Sequence, residues 1–274
     1  MTPSRAAIDI LKAWFYGKPE DQHFPVDCRS IAEGFGITVH SDDIDAEFEG
    51  GLFIEPGLTA IIYNNNIRED GRKNFTIGHE LGHFFLHKDR KELRCSLADL
   101  TDFGANPTHP ANIEQEANRF AVTLLMPPDD FRRSIQGHVP SIALISQLAD
   151  DRYHTSLTAT AYRMVELAPR PLALVIVKDG RVHRWRRNDR MAQTGFWLNK
   201  GDPIPDIASS MQNASTDAEA WLDERRAPSW ALAHSVADMP YYGQRLILIS
   251  AESREYERDI WDDVPDSVDQ FPKW

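Results

Sequence analysis

The chain has 274 residues, of which 42% are hydrophobic, 26% charged and 10% aromatic, a composition typical of a soluble globular protein. Its formal net charge of −12 argues against a protein that wraps nucleic acid, because such a surface repels the phosphates. Two cysteines, Cys28 and Cys95, are too few for a disulfide framework and indicate a reducing compartment. The N-terminus has no signal-peptide pattern, and no segment has the roughly 18 apolar residues of a spanning helix. We therefore expect a cytoplasmic protein without a membrane span.

The first 87 residues predict helices beside a small antiparallel sheet. Apolar residues at helical spacing predict helices at residues 3–16 and 27–35. The runs "FEGGLFIEP" and "TAIIYNN" are short, apolar and bounded by Gly, Pro and Asn, which predicts an antiparallel strand pair. A helix over residues 73–87 follows, with apolar residues along its length.

The middle of the chain predicts mainly helices. Residues 89–111 are typical of a loop, because Gly and Pro interrupt any periodicity. The segment "NIEQEANRFAVTLLMPP" predicts a strong helix that ends at its two prolines. Further helices are expected at residues 128–136, 140–149 and 155–167.

The pattern changes near Pro169, and strands become more frequent. "LALVIVKDGRVHRW" predicts two strands joined by a Lys-Asp-Gly turn. The basic residues of this hairpin are most simply a solvated face, offset by an acidic C-terminal tail. We expect further strands in "GFWLN" and "RLILISA", and a helix around residues 218–226.

The segment "TIGHELGHFFLH", residues 76–87, contains the array HExxH. Residues four apart lie on one face of a helix, so His79 and His83 can direct ring nitrogens at one point, as Zn²⁺ requires. Glu80 can take a proton from a water molecule as that water attacks a carbonyl. The array therefore predicts a zinc hydrolase site that still lacks a third ligand.

Several residues compete to be the third ligand. His87 lies roughly 6 Å farther along the helix axis and is interpreted as a helix-end residue that contacts the last carbonyls. Cys95, Asp99, Asp102 and His109 lie in the following loop, and their spacing favours none of them.

Glu114 is the stronger candidate, with Glu116 as its alternative. Glu114 begins a line of small and apolar residues, Ala117, Ala121 and Leu125, that would let its helix lie close to the histidine helix. Asn118, one turn after Glu114, could accept a hydrogen bond from a ligand histidine and fix its tautomer.

"FTIGHELGHFFLH", followed about thirty residues later by "EQEANRFAVTLLMP", resembles the ImmA/IrrE family of zinc metallopeptidases. The resemblance implies His79, His83 and Glu114 as zinc ligands and Glu80 as the catalytic glutamate, with Asn118 ending the Glu-x-x-x-Asn motif.

The resemblance also implies a fold and a division of the chain. It implies an α+β fold with a mainly helical zincin-like core and a small antiparallel sheet over residues 1–127. A helical segment similar to a helix-turn-helix follows at 128–168. Residues 169–274 are expected to form a C-terminal α/β domain that docks substrate or senses a ligand.

Members of this family cleave helix-turn-helix repressors that control mobile elements or stress responses, and others act in toxin–antitoxin pairs. The resemblance therefore implies a zinc endopeptidase whose partner is a regulatory protein of that type. The alternative is a non-proteolytic metal-binding regulator or toxin-system component that acts through protein or DNA binding. Direct binding of nucleic acid is not expected for the peptidase. The donor that would stabilise the oxyanion stays open among His109, His138, His154, Tyr153 and Tyr162.

Overall fold

The computed structural model describes residues 2–44, 48–87, 92–96 and 113–254. The chain divides into two compact units: Met1–Gly137 with Ile145–Arg163, and His138–Leu144 with Met164–Trp274. The finer division into 1–127, 128–168 and 169–274 stays a prediction.

The described residues contain eight α-helices, and the α+β class expected from the sequence is confirmed. Within these residues, no helix combines the length and the apolar composition needed to cross a bilayer. A π-helical turn, Leu148–Tyr153, directly follows the helix Ile142–Gln147. The helices are α1 (Pro3–Phe15), α2 (Cys28–Gly34), α3 (Asp70–Leu86), α4 (Ile113–Leu125), α5 (Pro128–Ile135), α6 (Ile142–Gln147), α7 (Leu157–Leu167) and α8 (Asp189–Gln193).

The first unit contains a four-stranded sheet in the order β1-β3-β2-β4. The predicted antiparallel pair is present as β2 and β3, and β4 pairs antiparallel with the other edge of β2. Among the described strands of this sheet, β1 alone runs parallel to its neighbour, β3, and β2 separates the two strands along the chain. The strands are β1 (Thr38–Asp42), β2 (Phe48–Glu55), β3 (Leu58–Asn64) and β4 (Glu92–Ser96).

Local hydrogen bonds fix where the helices before the sheet begin. The Thr2 hydroxyl accepts from the Arg5 N–H at the start of α1, where Pro3 needs no donor partner. The Asp27 carboxylate accepts from two N–H groups at the start of α2. The Asn74 side chain accepts from the Cys28 N–H and donates to the Val26 carbonyl, which ties the start of α2 to α3.

The second unit is built on an antiparallel five-stranded sheet in the order β6-β5-β9-β8-β7. The predicted Lys-Asp-Gly turn joins β5 to β6, with Asp179 at φ 52° and Gly180 at φ 71°. This backbone matches the twist of the two strands. The strands are β5 (Leu172–Lys178), β6 (Arg181–Arg187), β7 (Ala214–Thr216), β8 (Trp230–Met239) and β9 (Gln244–Ser253).

Two elements expected in this unit are absent from its described residues. "GFWLN" forms no strand, because Gly195 has φ 86° and the Phe196 carbonyl accepts a hydrogen bond from the Arg187 guanidinium. Residues 218–226 form only the 3₁₀ turn Ala218–Ala220. The Asp223 carboxylate accepts hydrogen bonds from the backbone N–H groups of Arg225 and Arg226, which favours a turn over a helix.

Candidate metal centre

His79 and His83 lie on the buried face of α3, and both side chains are fully buried. Their Nε2 atoms are 3.0 Å apart, so the two rings converge on one point as the HExxH spacing predicts. Leu81, on the same helix, is also 0% exposed, so the elements packed around α3 shield this whole turn from solvent.

Glu114, in the first turn of α4, reaches the same point. Its Oε2 atom lies 3.1 Å from His79 Nε2 and 3.3 Å from His83 Nε2. Glu116 Oε2 instead lies 3.0 Å from His87 Nε2. The geometry therefore brings Glu114 to the two histidines, while Glu116 contacts a residue outside this group.

Small residues allow α3 and α4 to approach each other. A Cβ added at Gly82 would lie 2.9 Å from Ala117 Cα and 3.1 Å from the Ala117 carbonyl oxygen. A Cβ added at Gly78 would lie 3.6 Å from Ala121 Cβ. Ala117 and Ala121 thus have the close-packing role expected from the sequence, and the approach determines how far Glu114 can reach.

Asn118 fixes the tautomer of His79. Its Oδ1 atom lies 2.9 Å from His79 Nδ1, so the ring donates from Nδ1 and keeps a lone pair on Nε2. Asn118 is 1% exposed, so water does not compete for this hydrogen bond.

His87 is the C-cap residue of α3, as expected for a helix-end residue, but its ring contacts the side chains of His83 and Glu116 where contact with the last carbonyls was expected. It thereby plays for His83 the part that Asn118 plays for His79. The His87 ring donates from Nε2 to the Glu116 carboxylate, because that oxygen can only accept. Its Nδ1 then accepts from His83 Nδ1, at 3.0 Å. Only its backbone N–H bonds a helix carbonyl, that of His83. His83 therefore keeps a lone pair on Nε2.

The two lone pairs and the Glu114 carboxylate face one another without a proton to share. Three acceptors within hydrogen-bond distance repel each other unless a cation lies between them. Burial opposes ionisation of Glu114, but the neighbouring His79 and His83 outweigh it and hold the pKa of this carboxyl well below its ordinary value. The group therefore suits a metal ion.

Cys95 joins the same group, a position that the sequence did not favour. Its Sγ atom lies 3.5 Å from both His83 Nε2 and Glu114 Oε2. The ligand atoms of His79, His83, Cys95 and Glu114 all lie within 4.8 Å of one another. The four residues could hold a metal ion. Three of them lie on α3 and α4, and the fourth, Cys95, lies on β4.

Sheet pairing explains how Cys95 reaches this position. Cys95 on β4 lies opposite Gly50 on β2, so the two residues share one face of the sheet. Gly50 presents that face to α3, where an added Cβ would lie 2.5 Å from Thr76 Cγ2. Sequence spacing contains no signal for this, because the register between β2 and β4 is a long-range property.

Glu80 is fully buried beside this group, and neither of its carboxylate oxygens has a hydrogen-bond partner among the described residues. Burial raises the pKa of Glu80 to about 8, although the nearby His83 opposes the shift. A Cβ at Gly50 would lie 3.1 Å from Glu80 Oε1, so the glycine at this position leaves room for the carboxylate. A buried acid without a partner is typical of a functional site.

Among the other residues considered from the sequence, the structure describes Tyr153. Tyr153 is committed elsewhere, since its hydroxyl donates to Asp130 at 2.7 Å. Asp99, Asp102 and His109 lie outside the described residues.

The fold and the geometry are those of a zincin-like metallopeptidase: two histidines one turn apart, a glutamate beside the first, and a second glutamate-bearing helix packed against them. Residues 32–165 match the family model of the IrrE N-terminal-like domain, Peptidase_M78. This part of the chain therefore belongs to the ImmA/IrrE peptidase family, and the predicted resemblance is confirmed.

Among solved structures, a Mycobacterium tuberculosis transcriptional regulator has a similar fold, with a TM-score of 0.51 and 12% sequence identity. The match covers 97% of this chain and 81% of the regulator. At this identity the likeness concerns the fold alone. No curated protein matches the chain.

Proposed function

We propose that the protein is a cytoplasmic zinc endopeptidase that cleaves a specific helix-turn-helix repressor. The observation that carries this proposal is the unpartnered, buried Glu80 carboxylate next to three converging metal-binding residues. A site that served only to hold a metal would have no use for a free carboxylate in its interior. Family membership supports a peptidase, and the repressor is the substrate that the resemblance implies.

The donor set fits Zn²⁺. Bond lengths of about 2.0–2.3 Å in a tetrahedral arrangement place ligand atoms roughly 3.3–3.6 Å apart. The nitrogen, oxygen and sulfur atoms here are separated by 3.0 to 3.5 Å where pairs are in contact. When bound, zinc polarises a carbonyl and makes water more acidic.

The chain itself supplies positioning and proton transfer. His79, His83 and Glu114 hold the metal, and Asn118 and His87 orient the two rings through Nδ1. Glu80 accepts the proton of the attacking water at its carboxylate and passes it to the leaving amine. Burial keeps this carboxylate free of competing hydrogen bonds from solvent.

Substrate choice requires a surface beyond the metal centre. We assign docking of the repressor, or sensing of a signal, to residues 169–274. Most of this segment belongs to a compact unit with its own core, centred on Val175, Phe196 and Ile247. Cleavage would relieve repression of a mobile element, a stress response or a toxin–antitoxin pair.

The experiment that tests the function compares Glu80→Gln with Glu33→Gln, an exposed glutamate on α2 that serves as matched control. Each zinc-loaded full-length protein is incubated with the helix-turn-helix repressors encoded beside its gene, and products are mapped by mass spectrometry. We expect Glu80→Gln to keep its zinc and lose about 10²–10⁴-fold in cleavage rate, the share of general base catalysis. Undiminished cleavage by Glu80→Gln would show that this carboxylate is not the base.

A second candidate is a metal-binding regulator without peptidase activity. Cys95 favours it, because four protein ligands are typical of structural zinc sites. This candidate predicts that Glu80→Gln leaves every regulatory activity of the protein intact, with metal bound, and that no repressor is cut by either protein.

A further inference from the structure

We propose that Cys95 is a fourth metal ligand, which closes the centre and has to leave before a peptide can be hydrolysed. The inference rests on the proposed function, since closure matters only if the centre is catalytic. It assigns a role to a residue on the sheet edge that the zinc motifs do not contain.

Position is the first argument. The Cys95 sulfur contacts two of the three converging ligand atoms at 3.5 Å each, which is the separation expected around a tetrahedral zinc with one thiolate. It is also 2% exposed, so this thiol faces the centre and is shielded from solvent. The ligand atoms of Cys95, His79, His83 and Glu114 all lie within 4.8 Å of one another, as one shared ion would require.

The surrounding charges are the second argument. The Cys95 thiol lies against the Glu114 carboxylate, and Glu80 is buried beside the same centre. A divalent ion would compensate both carboxylates and bind the thiolate in the same pocket.

Glu80 is the third and independent argument. A site with four protein ligands needs no further acid, yet the Glu80 carboxylate is buried here without a partner. The two features are reconciled if the four-ligand arrangement is a closed form of a catalytic site. In catalytic zinc sites the fourth position is left open for water or substrate.

The sheet provides the means of opening. β4 pairs with β2 alone among the described strands, so Cys95 is held by one ladder of hydrogen bonds at the sheet edge. Release of β4 from β2 would withdraw the sulfur without moving His79, His83 or Glu114, which are carried by α3 and α4.

The ligand is tested with Co²⁺-loaded full-length protein, because a thiolate bound to cobalt gives a charge-transfer band in the near ultraviolet. Wild type should show the band, Cys28→Ala should keep it, and Cys95→Ala should lose it. Cys28 is the matched control, since it is the other cysteine and is also buried. Absence of the band from wild type, or its persistence in Cys95→Ala, would overturn the assignment.

Metal affinity gives a second readout. We expect Cys95→Ala to bind Zn²⁺ at least about 100-fold more weakly, the upper end of the loss seen when outer partners of a ligand are removed. Should Cys95→Ala fail to fold by circular dichroism, Cys95→Ser takes its place, because it keeps the side-chain volume closer to that of cysteine. Unchanged affinity in the folded variant would contradict the proposal.

Closure is tested with acetohydroxamate, which binds metal ions with an open position. Added to the cobalt-loaded proteins, it should perturb the visible spectrum of Cys95→Ala at concentrations that leave wild type unchanged. Equal responses would refute closure. If the band is present but neither protein cleaves a repressor, the peptidase function fails while the cysteine ligand stands. If wild type cleaves and shows no band, the function stands and Cys95 is not a ligand.

Discussion

His83 Nδ1 lies 3.0 Å from His87 Nδ1, and the His87 ring in turn contacts the Glu116 carboxylate. This chain of hydrogen bonds leaves the other nitrogen of His83 directed at the metal centre. Residues in the outer layer of a metal site fix ring orientation and tautomer, so their loss weakens metal binding even though they do not touch the ion.

We predict that His87→Ala lowers the affinity for Zn²⁺ by about 10–100-fold, because His83 loses the acceptor that fixes its tautomer. Glu116→Gln should retain most of the affinity, since the amide oxygen can still accept from His87. Affinities are measured by competition with a chromophoric chelator. His40→Ala, at an exposed position on β1, is the control and should bind zinc as wild type does. Wild-type affinity in His87→Ala would remove His87 from the site.

Gly82→Ala should destabilise the first unit by about 1–3 kcal/mol, the usual cost of overpacking. The new methyl group would meet the backbone of Ala117, which cannot move without displacing α4. Zinc affinity should fall as well, because α4 carries Glu114. The control is Gly34→Ala in α2, where an added Cβ has no neighbour within 4 Å. It should be neutral or stabilising by up to about 1 kcal/mol, from helix propensity.

These two variants are compared by urea denaturation, with and without zinc. If Gly82→Ala were as stable as Gly34→Ala, α3 and α4 would not be packed as closely as the structure describes.

The buried pair of Glu49 and Arg72 predicts a pH-dependent stability. Burial raises the pKa of Glu49, and Arg72 only partly offsets this. The folded protein therefore keeps a proton that the unfolded chain releases, so this group's contribution to the free energy of unfolding falls as pH rises above about 4.5 and levels off above the folded pKa. Glu49→Gln should remove this pH-dependent contribution. The free energy of unfolding of the variant, relative to that of wild type, should therefore rise as pH increases over the same interval.

Arg72→Met should enlarge the pH-dependent contribution of Glu49 to the free energy of unfolding, because Glu49 would lose the cation that favours its charged form. We expect a loss of about 3–5 kcal/mol at pH 8, the cost of breaking a buried pair, and a smaller loss at pH 4. Thermal and urea unfolding of the metal-free proteins provide the measurement. Arg132→Met is the control, since it breaks an exposed pair with Asp129 worth about 0–1 kcal/mol. A loss independent of pH would show that Glu49 does not titrate as described.

Much of the fold and of the site could be predicted because the signals are local. Helix α3 and the positions of His79, Glu80 and His83 follow from a four-residue spacing. The line of Ala117 and Ala121 pointed to a closely packed second helix, and the structure brings Glu114 from that helix to the histidines. The strand pair β2–β3 likewise followed from two short apolar runs.

The sequence failed where local preference is overridden by contacts. The positive φ of Gly195 and the hydrogen bond from Arg187 to the Phe196 carbonyl prevent "GFWLN" from forming a strand. The Asp223 carboxylate favours turns where a helix was expected. Strand β8 was missed, because its residues mix small, polar and aromatic side chains that become a strand only beside β9.

By itself the sequence determined the HExxH helix, the second glutamate helix and the family, because each depends on residues a few positions apart. Only the tertiary structure decided that His87 orients His83 and that Cys95 lies at the metal centre. The first depends on Glu116 from another helix, and the second on the register that sets Cys95 opposite Gly50. Such contacts between distant segments leave no periodicity in the chain, so spacing cannot reveal them.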